Sequence, residues 1–69
     1  MNYTLYTQNF CKACDQIIDH LQLVGLEFEV VNIDETPKAC PEDLFIIPAL
    51  YKQLELKAYG KDIIRVFNV

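Results

Sequence analysis

The chain has 69 residues and a net charge of −4, the size of one small domain that buries only ~60% of its unfolded surface. Hydrophobic residues make up 52%, too many for a disordered chain, yet no apolar run approaches the ~18 residues of a membrane span. Lys12, Lys38, Lys52, Lys57, Lys61 and Arg65 are scattered along the chain, which excludes the clustered basic surface that a nucleic-acid partner requires.

In chain order, Tyr3 to Thr7 alternates and is rich in aromatic and β-branched residues, which predicts a strand. Gln8-Asn9-Phe10 is then a loop that delivers Cys11. From Cys14 onward Ile17, Ile18, Leu21 and Val24 recur at the spacing of one helix face, and Gly25 closes that helix. Asp15, Gln16, Asp19, His20 and Gln22 lie opposite, on a face expected to be solvated. Leu26 to Asp34 carries Phe28, Val30, Val31 and Ile33, apolar on both faces, and is expected to be a central strand. Thr36-Pro37 reads as a helix start, but Pro41-Glu42-Asp43 reads as another four residues later, so one or two short turns are expected. Ile46 to Tyr51 predicts a strand with Pro48 at its beginning. Leu54, Leu56 and Ala58 alternate with Glu55, Lys57 and Tyr59, which predicts a partly exposed strand antiparallel to it. The tail from Asp62 to Phe67 is helix or strand by composition, because its β-branched residues weaken the helical choice.

The chemistry resides in Cys11-Lys12-Ala13-Cys14, set between a predicted strand and a predicted helix. Free backbone N–H groups and the dipole at a helix start favour a thiolate, and the thiolate is the nucleophile. Cys11, nearer the helix start, is expected to attack a disulfide, and Cys14, one turn in, to resolve the mixed disulfide. As a staple the pair is poor: closing four residues contributes only ~2 kcal/mol, against ~3.5 kcal/mol for a bond from either cysteine to Cys40. Three cysteines in a chain that opens Met1-Asn2-Tyr3-Thr4, without the basic and apolar regions of a secretion signal, fit reversible thiol chemistry in the cytoplasm. Lys12 favours the thiolate by its charge and Asp15 opposes it, both weakly because solvent screens them. Two other readings of the pair are half of a metal site and accidental spacing. A metal needs two further ligands, for which His20 and Cys40 are the remaining soft candidates, so no metal site is assigned. Cys40 reads as a small apolar filler or as an exposed thiol, and Tyr6 and Phe10 as core residues or as lining of the approach to the dithiol.

The order strand, helix, strand, short helix, strand, strand, helix, with Cys-x-x-Cys after the first strand, resembles the thioredoxin fold. It implies a minimal α/β domain over residues 1–69, a four-stranded mixed sheet flanked by helices. Within that fold Tyr6-Thr7-x-x-x-Cys11-x-x-Cys14 resembles the glutaredoxin signature. Phe28 to Asp34 resembles the second strand of the small NrdH-type redoxins that serve ribonucleotide reductase. Ile47-Pro48 is similar to that family's apolar residue and cis-proline beside the dithiol, although a proline there also suits a plain strand edge. The resemblance implies a thiol–disulfide oxidoreductase, acting in electron transport and cell redox homeostasis as a monomer on protein disulfides, that of a ribonucleotide reductase among them. Besides Cys11 and Cys14, it places Tyr6, Gln8, Lys12, Ile47, Pro48 and Asp62 at the substrate. Asp62 matches the acid that contacts glutathione, whereas Gln8 stands where the family often carries a lysine for a glutathione carboxylate. Reduced glutathione is thus one electron source and a thioredoxin-reductase-type flavoprotein the other, with no permanently bound cofactor expected. An iron–sulfur or metal-binding module on the same fold, and an interaction domain that keeps an idle thiol pair, are the alternatives outside oxidoreductase chemistry.

Overall fold

The computed structural model describes residues 3–42, 44, 46–53 and 55–67. Tyr3–Thr7 forms β1, Lys12–Leu23 forms α1, and Phe28–Asn32 forms β2. A single 3-10 turn, Pro37–Ala39, follows. Ala49–Lys52 is β3, Glu55–Tyr59 is β4, and Asp62–Val66 is α2. The sheet order is β2-β1-β3-β4, with β1 and β2 parallel and both other pairs antiparallel. This is the expected four-stranded mixed sheet, with the helix between β2 and β3 cut down to the 3-10 turn. Pro37 sits at its first position, where a missing N–H costs nothing, and a further turn closes from Leu44 N–H to the Pro41 carbonyl.

Both helices pack on one face of the sheet. Leu5 of β1, Ile17 and Leu21 of α1, Leu50 of β3, Ala58 of β4 and Ile63 of α2 form the buried cluster. The alternation of strand side chains sends Tyr6 and Tyr51 to the other face, where their rings meet edge to face at 5.2 Å. Helix α1 ends in a Schellman motif: the Gly25 N–H donates to the Gln22 carbonyl, the Leu26 N–H to that of Leu21, and Gly25 takes φ +83°.

Three expectations change. β2 lies at an edge of the sheet, because β1 is paired on its other side by β3; Glu29 and Val30 are exposed, and the apolar run Val30-Val31 is half-covered where two-sided burial was expected. β3 begins at Ala49, after Pro48, whose ring nitrogen has no hydrogen to give to a ladder. His20 is half-buried, not solvated, with Nε2 3.3 Å from the carbonyl oxygen of Phe67, which ties α1 to the residue after α2. The tail, helix or strand by composition, is a helix, with Ile63 in the core cluster and Ile64 packed against it. Leu54 lies outside the described residues, as do Asp43 and Phe45.

Candidate active site

Cys11 is the residue that caps α1. Its backbone is extended, at φ −109° and ψ 98°, and its sulfur accepts the Cys14 N–H at 3.1 Å. Its carbonyl accepts the first bond of the helix, from Asp15 N–H at 3.3 Å. One of the unpaired amides of the helix start is therefore aimed at Cys11 Sγ, in the place a serine or aspartate oxygen ordinarily takes. Cys11 and Cys14 are joined as a disulfide across a Cα–Cα distance of 5.2 Å, inside the range such a bond needs. Their surroundings differ. Cys14 is 2% exposed and packed beneath the helix, while Cys11 is half-exposed, so an incoming sulfur reaches Cys11 alone.

A shallow groove surrounds Cys11, walled by Gln8, Asn9, Phe10, Lys12, Asp15 and Asn32. Gln8 and Lys12, both placed at the substrate by sequence, are here, exposed and beside the sulfur. The loop that carries them is clamped to the end of β2. Asn9 N–H donates to Asp34 Oδ2 at 2.9 Å, Asn32 Nδ2 donates to Asn9 Oδ1 at 2.9 Å, and the Ile33 N–H donates to the Thr7 carbonyl at 2.8 Å. Asn32 Oδ1 in turn accepts the Asp34 N–H at 2.9 Å and the Glu35 N–H at 3.3 Å. These three polar residues escaped the sequence reading. Their signal was an Asn-x-Asp-Glu run at a strand end, the composition of a side-chain-capped turn.

The Ile47–Pro48 peptide bond is cis. Tyr6 pairs with Ala49, the last step of the β1–β3 ladder, so Pro48, the residue before Ala49, lies at the end of β1 from which the cysteine loop departs. Pro48 is buried, and its carbonyl accepts the Gly60 N–H at 2.6 Å. Ile47 is half-buried, and no hydrogen bond among the described residues engages its backbone. Asp62 lies two residues past Gly60, exposed, with its carboxylate 3.6 Å from Arg65. The ring of Tyr6 turns away from the groove toward Tyr51, and burial, then Cys40, then Glu29 push its phenol above the usual 10.0. Cys40 is half-buried beside it, its thiol donating to the Pro41 carbonyl at 3.6 Å. Among the described residues no three of His, Cys, Asp and Glu come together as metal ligands.

Sheet order, helix-capping cysteine and cis-proline together form a thioredoxin-like fold. Over 39 residues, 56% of its length, the chain is 41% identical to the glutaredoxin-like protein NrdH of Salmonella typhimurium (strain LT2), and the match spans 48% of that relative. The chain thus covers about half the length of the curated relative it matches. In three dimensions it resembles the holo form of glutaredoxin C1 from Populus tremula x tremuloides, with a TM-score of 0.68 over 94% of this chain and 71% of that one, at 18% identity. No protein-family profile matches the chain. The likeness in sequence covers part of the chain, and the likeness in structure shows the thioredoxin-like fold.

Proposed function

We propose that the chain is a dithiol–disulfide oxidoreductase that reduces protein disulfides, with Cys11 as the attacking sulfur and Cys14 as the resolving one. The observation that carries the reading is the Cys14 N–H held 3.1 Å from Cys11 Sγ, at the half-exposed member of a pair close enough to bond. The Cys11 thiolate attacks one sulfur of the substrate disulfide; that S–S bond breaks, one substrate thiolate leaves, and a mixed disulfide forms. Cys14, after losing its proton, attacks Cys11 Sγ, expels the second substrate thiolate and leaves Cys11–Cys14 oxidised. Two electrons and two protons pass from the protein dithiol to the two substrate thiols. Pro48 and Ile47 stand at the end of β1 that carries the dithiol, and the Ile47 backbone is available to pair with an extended substrate segment. A ribonucleotide reductase is a substrate of the kind this reading admits, through the similarity to NrdH.

Trapping tests it directly. Cys14→Ser should hold Cys11 in a stable mixed disulfide with an oxidised protein substrate, visible as a reducible mass adduct, while Cys11→Ser should form none. Adducts at Cys40 in both variants, with none at Cys11, would defeat the assignment.

The electron source divides two versions of the same chemistry. Gln8 brings no charge to the groove, Lys12 is offset there by Asp15, and Asp62 is paired with Arg65. These features weaken recognition of an anionic tripeptide and favour a thioredoxin-reductase-type flavoprotein over glutathione. Turnover coupled to each reductant separates the two, and turnover with glutathione and glutathione reductase alone would reverse the preference.

A further inference from the structure

Phe10 precedes the attacking cysteine and is 105% exposed, the most exposed of the large apolar side chains among the described residues. Its backbone is left-handed, at φ +57°, a conformation that a bulky non-glycine residue rarely adopts and that persists only when its surroundings hold it. The surroundings do hold it: Asn9, one residue before, is fixed through both its N–H and its side-chain oxygen by Asp34 and Asn32 at the end of β2. On the other side Cys11 is fixed as the cap of α1. In solvent the ring gains none of the burial that ordinarily stabilises so large an apolar side chain. The loop holds it there, with two side chains and a left-handed residue, at the rim of the reactive groove.

We infer that Phe10 is a docking anchor that selects protein disulfides over small ones, an inference that rests on the oxidoreductase reading of Cys11. Whatever reacts at Cys11 Sγ must lie against the residue bonded to it, so the occupant is the protein that carries the disulfide. The partner offers an apolar recess beside its reacting sulfur, large enough for a phenyl ring. Aromatic rings held rigid before binding are efficient anchors, because little conformational freedom is lost when they are buried. A small disulfide such as 2-hydroxyethyl disulfide has no recess to offer and gains nothing from the ring. Asn9, Asn32 and Asp34 act through Phe10 as positioning residues.

The test compares second-order rate constants for reduction of insulin and of 2-hydroxyethyl disulfide by the full chain. Phe10→Ala should lower the insulin-to-small-disulfide ratio about tenfold, and Phe10→Tyr should restore most of it. Asp34→Ala, which frees Asn9 but keeps the ring, should lower the ratio in the same direction by less, with the pH profile of Cys11 alkylation unmoved. A ratio unaltered by Phe10→Ala overturns the anchor and leaves the redox reading standing. Equal losses toward both substrates in Phe10→Ala overturn it as well, since the ring would then serve the chemistry or the loop and not the partner. A wild-type chain inert toward both substrates removes the redox reading and the anchor together.

Discussion

The phenol of Tyr6 shows how a single side chain reports on the packing behind the site. Half-buried against Tyr51 and near Cys40 and Glu29, it holds its proton more tightly than a free tyrosine at 10.0. The unfolded chain releases that proton first as the pH rises. Tyr6 therefore contributes stability that is complete below about pH 10 and disappears as the pH climbs through the higher folded value. Urea midpoints measured from pH 8 to 11.5 should fall less steeply above about pH 10 in Tyr6→Phe than in the native chain. Identical slopes would mean that the ring is solvated and that the segment carrying Cys40 does not cover it. At the same scale a Cys11–Cys14 pair at a helix start was legible in advance, because spacing after a strand was enough to place it. Which of its two sequence readings, core or lining of the approach, Phe10 takes was not: its exposure depends on hydrogen bonds from Asn32 and Asp34, more than twenty residues away in sequence.

Helix α1 is fixed by a local device at both ends. Its start uses a sulfur as cap; its finish uses Gly25 in the left-handed region, with Leu26 folding back to the core beside Leu21. A β-carbon on Gly25 would meet no neighbouring atom within 4 Å, so the cost of adding one is purely conformational. Gly25→Ala should lower stability by about 1 kcal/mol, read from chemical denaturation, with the dithiol chemistry untouched at the opposite end of the helix. A neutral outcome would show that the Schellman closure is not held in solution. β1, α1 and β4 followed from periodicity because their apolar residues recur at one spacing over whole elements. β2 did not, since the pattern Val30-Val31 with Ile33 is the same for a covered strand and for an edge strand; which one it becomes is decided when β3 takes the second side of β1. The segment from Asp34 to Pro48 holds two prolines before the cis bond, and its described residues form isolated turns, as its competing start signals imply. The tail was undecidable by composition and was settled by contact with α1 and the core.

As a whole the molecule is one sheet with a single helical layer, and its core is small. A chain of this length has roughly 3–10 kcal/mol of net stability, and among the described residues six side chains form the buried centre. Ile63, fully buried on the short helix α2, closes that centre over Ala58 and Leu50. Ile63→Ala should cost about 2–4 kcal/mol, enough to bring the unfolding midpoint near room temperature; a loss below about 1 kcal/mol would show that α2 is dispensable to the core. The cysteine pair, by contrast, closes too short a loop to be the main support, which suits a bond that must open and close with the fold intact. The account therefore turns on Cys11 being ionised by the start of α1 in the reduced protein. Alkylation rates of Cys11 measured against pH, by mass spectrometry of the labelled peptide, test this most directly. A midpoint well below the ~8.5 of an unstructured thiol, with Cys14 labelled far more slowly, is the predicted result. A midpoint at ~8.5 or higher for Cys11 would contradict it.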